Sequence, residues 1–156
     1  MLESENVILQ STASDELVRH GSCACRTFGV SMQPLFKTHR DVVVLEAPKA
    51  PLKKYDVVLY NTDTHKNVLH RIIGVRKDFY VIRGDNTYKK EYIKKEDILG
   101  VLVFFNRNGK KHSVTDFSYK LYSRLWNFIY PIRYFIRVVR SLVYRLYRKL
   151  FPKKDS

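Results

Sequence analysis

Between residues 22 and 114 the chain is a succession of short β-branched runs punctuated by turn residues, and that rhythm limits the fold more than any other feature. Residues 41–45 read DVVVL and residues 56–60 read DVVLY, with a proline-bounded loop, APKAP, between them. Residues 68–75 and 78–82 read as two strands joined by a tight turn at Arg76 and Lys77. Residues 98–105 and 111–114 form a last hairpin around Asn106-Arg107-Asn108-Gly109, where Asn-Gly supplies the positive φ that such turns need. Many short strands and almost no helix before residue 115 predict a mostly β fold, a small curled sheet.

Ahead of the strands, residues 15–21 read as the end of a short N-terminal helix stopped at Gly21, with Ser11, Thr12 or Ser14 as candidate caps. Residues 22–28 then form a strand leading to Ser31. A chain of 156 residues with 45% hydrophobic composition suits one core. Cys23 and Cys25 are the only cysteines, and strand spacing puts both on one face in strained geometry for a mutual bridge. They are expected to be reduced thiols, as in a cytosolic protein.

Charge divides the chain in two. Ten of the 29 Lys/Arg fall in residues 117–154 with no acid among them, so the tail holds most of the formal +14. The expected organisation is a β domain over residues 1–116 and a basic helical tail over residues 117–156. Pro131 divides that tail into two helices, the first capped by Thr115 or Asp116. At 100° per residue, Ile132, Phe135, Ile136, Val139, Leu142, Val143, Leu146 and Leu150 share one sector, and Arg133, Arg137, Arg140 and Arg148 cluster on another. Such a basic amphipathic helix, with Trp and Tyr at its flanks, suits an anionic membrane interface. Packing on the sheet or on a second subunit is the alternative, and the first helix is the better candidate for it. No nucleic-acid motif is present, so no nucleic-acid partner is expected. The longest uncharged run in the tail, residues 125–132, is far short of a membrane span, and residues 1–10 show no secretory signal or anchor.

The candidate chemistry lies in three boxes: residues 28–34 (FGVSMQP), 69–75 (LHRIIGV) and 83–86 (RGDN). A serine hydroxyl becomes a useful nucleophile only when a base takes its proton, and the candidate pair is Ser31 with His70. Taken singly, Ser31 is an ordinary turn serine and His70 an ordinary strand histidine. Their order and spacing, with KKYDVV at residues 53–58 between them, carry the signal. The succession resembles the type I signal peptidases, nearest to the branch that uses Ser-His rather than Ser-Lys, over roughly residues 20–105.

That resemblance implies a serine endopeptidase with Ser31 as nucleophile, His70 as general base, and Asp85 as first choice for the third group that holds the imidazole, Glu91 being the second choice. It implies no cofactor and no metal. The Ser31 backbone N–H is the expected oxyanion donor; relatives often add a hydroxyl two residues earlier, where this chain has Gly29. Tyr55 stands where relatives have glycine, which points to an altered turn, and Asp56 is expected to be structural. The remaining histidines, His20, His39, His65 and His112, are expected at the surface. The substrate is expected to be a peptide or protein laid as an extended strand beside Ser31. One departure from the family matters: its members carry an anchor helix ahead of the serine and cut on the far side of the membrane, whereas no anchor is expected here, so the expected setting is the cytoplasm, with peripheral attachment at the inner face of the membrane through Arg133, Arg137, Arg140 and Arg148 of the tail. Two alternatives stand beside it: a non-catalytic membrane-binding module, and a regulatory autoprotease like the SOS-type repressors.

Overall fold

The structure is a computed structural model that describes residues 13–62 and 67–150. A short helix, α1 (Ala13–His20), leads through Gly21 at φ +70° into β1 (Ser22–Arg26). The Gly21 N–H closes the helix on the Leu17 carbonyl at 2.9 Å, a left-handed stop that glycine adopts without steric cost. The strands β2 (Val42–Glu46), β3 (Val57–Asn61), β4 (Asn67–Val75), β5 (Phe79–Arg83), β6 (Glu91–Lys94), β7 (Ile98–Arg107) and β8 (Lys110–Ser113) follow. All are antiparallel, in the order β1-β2-β7-β3-β4-β5-β6, with β8 paired to β7. The result is a mostly β molecule built on a curled half-barrel sheet.

The expected strands are present within a few residues. β1 ends at Arg26 instead of residue 28, and the β7–β8 hairpin turns on Asn108 and Gly109, both at positive φ. β6 is an addition to the expected set: its lysines suggest a solvated stretch, yet Glu91 and Ile93 alternate inward on an edge strand.

β3 lies at the middle of the sheet and is buried on both faces, which explains its unbroken apolar run. Val57 and Leu59 join Met32, Leu35, Phe36, Val43, Leu45 and Phe105 on one face; Val58 and Tyr60 join Ile72, Tyr80, Ile82 and Ile98 on the other. Each fully buried aliphatic side chain of this size contributes about 1.5–3 kcal/mol.

Two helices follow, α2 (Phe117–Phe128) and α3 (Tyr130–Leu150). Pro131 sits in the first turn of α3, where its missing N–H costs nothing. Asp116 occupies the N-cap position of α2, but its carboxylate accepts the Ser113 N–H at 2.7 Å rather than a helix N–H. Helix α2 packs on the sheet: Tyr119 enters the first core cluster and Ser123 is buried. Arg83 of β5 ties the helices down, lying 3.4 Å from the Tyr130 ring and donating to Asn127 Oδ1 at 3.0 Å. Beyond its first turns α3 stands clear of the body, and none of its side chains is buried. No helix among the described residues is long and apolar enough to cross a membrane.

Candidate active site

His70 sits on β4 opposite Val58 of β3, on the same face as Tyr60 two residues further along. The residue is 6% exposed. The Nδ1 atom lies 3.0 Å from the Tyr60 hydroxyl and 3.6 Å from Glu91 Oε2. Tyr60 gives its only O–H to that same Glu91 oxygen. The phenol oxygen therefore accepts from Nδ1–H, which leaves Nε2 without a proton and available as a base.

Burial pushes the His70 pKa below the ordinary imidazole value, against the opposing pull of Glu91 and, more weakly, of Asp85. The imidazole is thus held neutral, in the state a general base needs, with a carboxylate placed to steady it when it takes a proton. The Tyr60 phenol is shifted well above its usual range, by burial first and by Glu91 second, so it remains protonated.

Nε2 lies near the backbone of the loop that carries Ser31. A Cβ built on Gly84 would stand 2.9 Å from His70 Nε2 and 2.7 Å from the Ser31 carbonyl oxygen. Both atoms therefore crowd the same point, and only glycine leaves it open. No hydrogen bond joins the Ser31 hydroxyl to the ring among the described residues. Asn86 fixes the loop: its N–H donates to the Ser31 carbonyl at 2.7 Å and its side-chain amide to the Val30 carbonyl at 3.2 Å. On the far side Asp41, fully buried, holds the loop's other end. It accepts the Lys37 N–H at 2.9 Å and Arg40 Nε at 2.6 Å.

Asp85, the first-choice third group, faces Arg71 rather than His70. Its carboxylate accepts Arg71 Nε and Nη2, each at 2.8 Å, and the Tyr122 hydroxyl at 3.0 Å. Strand alternation explains this: His70 and Arg71 are successive residues of β4, so their side chains leave on opposite faces. Arg71 also reaches Ser123 Oγ at 2.8 Å and the Tyr55 carbonyl at 2.9 Å, which seats α2 beneath the site. Glu91, the second choice, is the carboxylate that meets the imidazole. The residues of the third box therefore act separately, since Gly84 leaves the gap, Asp85 anchors Arg71 and Asn86 pins the Ser31 loop.

Comparison with protein-family models and with curated proteins returns no match.

Beside Ser31 a cleft of about 450 Å³ runs between the Ser31 loop and the sheet, walled by Phe28, Met32, Phe36, Val43, Leu59 and Leu69. Cys25 also lines it, but burial, followed by the neighbouring Cys23, pushes its thiol up to about 12, so it is inert at neutral pH. Both cysteines are free. Tyr55 adopts φ +82°, the left-handed conformation that glycine accommodates more easily. Asp56 accepts the Lys53 N–H at 2.9 Å, closing that turn. His20 and His39 are exposed, His112 is half-buried against Phe105 at 5.1 Å, and His65 lies outside the described residues. Among the described residues no three His, Cys, Asp or Glu side chains are grouped to hold a metal ion.

Sequence reasoning misses Tyr60 and ranks Glu91 second. Tyr60 is indistinguishable in sequence from a core aromatic; its only signal is the two-residue offset from the position opposite His70, visible once strand register is known.

Proposed function

We propose that this chain is a serine endopeptidase of the signal-peptidase type, and that it cleaves a leader or a specific peptide or protein substrate at the cytoplasmic face of a membrane. One observation carries the reading: an imidazole held at Nδ1 by Tyr60 and Glu91 has its Nε2 beside the backbone of the loop bearing Ser31, at a glycine that admits no side chain.

In this reading a substrate lies extended beside Ser31 with an apolar side chain in the neighbouring cleft. The Ser31 hydroxyl attacks the scissile carbonyl as Nε2 takes its proton, and the Ser31 N–H faces the developing oxyanion. The imidazolium is steadied by Glu91, then protonates the leaving amine. Water, activated by the same Nε2, releases the acyl group. Asp85 acts at one remove, through Arg71 and the seat of α2. Peripheral attachment is assigned to α3, whose apolar side chains face solvent, with Phe135 67% and Leu150 73% exposed.

The test is incubation of the purified chain with a diverse peptide mixture and mass-spectrometric identification of new termini. Recurrent cleavage that disappears in both Ser31→Ala and His70→Ala supports the assignment. Cleavage that persists in either variant, or none in the wild type with retained lipid binding, leaves a membrane-binding module instead.

A further inference from the structure

Two adjoining cavities, of about 510 and 650 Å³, lie between α3 and the loop after β5. Arg133, Arg137 and Arg140 line the first, together with Asn86, Gln33 and Trp126; the second shares Asn86 and Arg137 and adds Lys89 and Arg145. No carboxylate side chain lines either one.

The guanidinium groups are held in place. Arg133 stacks 3.7 Å from the Trp126 ring and gives Nη2 to the Asp85 carbonyl at 2.9 Å, while its Nη1 is buried with no partner. Arg137 stacks 4.3 Å from the Tyr88 ring. Stacking uses the flat face of a guanidinium and leaves its edge donors free for an oxyanion. Arginines on successive turns of one helix, with no acid between them, repel one another until an anion arrives.

The face of α3 turned to the body carries Tyr130, Arg133, Tyr134 and Arg137. On the helical wheel the exposed apolar stripe lies nearly opposite, and Arg133 and Arg140 fall on its flank. With that stripe sunk in a bilayer, the flanking arginines sit at the depth of the phosphates.

We propose that this groove binds the phosphate-bearing headgroup of an anionic phospholipid. The proposal deepens the membrane attachment proposed above and rests on that part of it, not on the chemistry at Ser31. The unoccupied donors and the acid-free wall supply the anion recognition; the stripe on the same helix selects a lipid over free phosphate.

Trp126 is the sole tryptophan and forms part of the groove wall, so its emission reports occupancy. The full chain is titrated with a short-chain, water-soluble phosphatidylglycerol below its micelle concentration. Parallel titrations use short-chain phosphatidylcholine, glycerol 1-phosphate, inorganic phosphate and an acidic peptide. Expected is a saturable emission change with phosphatidylglycerol and none with phosphatidylcholine. Half-saturation rises about tenfold or more in R137Q/R140Q, the loss of charge-assisted hydrogen bonds. It rises only about threefold or less in R124Q/R148Q, which removes the same charge outside the groove and leaves only screened long-range attraction to lose. All four positions are exposed, and circular dichroism verifies that both variants are folded.

No saturable change, or equal losses in the two double variants, overturns the site. Inorganic phosphate binding as tightly as the lipid, or the acidic peptide binding more tightly, overturns the lipid as its occupant. Catalysis is not read in this experiment, so inactivity at Ser31 leaves the result intact.

Discussion

His70 is the residue whose surroundings decide what the site can do. Its pKa lies below the ordinary ~6.5 of an imidazole, because burial outweighs the attraction of Glu91. The unfolded chain therefore takes up this proton at a higher pH than the folded one. Stability from this group is complete above the unfolded value and is lost as pH falls toward the folded value. In the proposed reaction, activity follows the same proton: kcat/KM is expected to be flat above pH ~6.5 and to fall on an acid limb below it. Glu91→Gln removes the charge that opposes this shift, so the acid limb should move to still lower pH while kcat drops by about tenfold or more through loss of the oriented tautomer. A pH–rate profile of both proteins checks this, and an acid limb that stays in place would separate Glu91 from His70. Asp85→Asn should not move the limb to a similar degree, because Asp85 is spent on Arg71.

At the scale of elements, the Arg71–Asp85 pair joins the sheet to α2. Both side chains are buried, and the guanidinium is kept charged although burial alone would lower its pKa, since Asp85 overrides that effect. Removing one member leaves a buried charge without its counterpart. Arg71→Ala is expected to cost about 3–5 kcal/mol, read as a lower urea midpoint with the slope unchanged. A loss below about 1 kcal/mol, the ceiling for an ordinary surface pair, would mean that α2 is seated by apolar packing alone.

The strands themselves are legible in the sequence, because β-branched runs between turn residues report their own local geometry, and Gly21 and Asn108-Gly109 mark their turns unambiguously. The order of their boxes suggests Ser31 and His70 as a pair, and the structure brings the Ser31 backbone and the His70 ring to the same point beside Gly84. The assignment of the carboxylates is not legible in the sequence. Asp85 and Glu91 differ in which face of the curled sheet they reach, and that depends on the register of β4, β5 and β6 rather than on any local pattern. β6 is obscured for a related reason: on an edge strand with lysines facing water, Glu91 and Ile93 are too short a signal.

At the scale of the whole molecule, a curled sheet carries a projecting helix, α3, that holds six Lys/Arg, no acid and a long exposed apolar stripe. The sequence separates α2 from α3 at Pro131 and places the apolar stripe; the contacts of Arg133 and Arg137 with the body add which side faces the sheet. Leu142→Glu/Leu146→Glu places two carboxylates on the stripe without touching the candidate catalytic site. Binding to anionic vesicles, read by co-sedimentation, is expected to fall by about a hundredfold, and hydrolysis of a soluble peptide should be unchanged. Unchanged vesicle binding would remove α3 from the membrane role.

Ser31 as an activated nucleophile is tested most directly by covalent trapping. A fluorophosphonate is added at about pH 8, above the imidazole range, and its adduct is mapped by peptide mass spectrometry. A single adduct on Ser31, formed in the wild type and slowed at least about a thousandfold in His70→Ala, is the expected result; no adduct, or one forming equally fast without the imidazole, would contradict it.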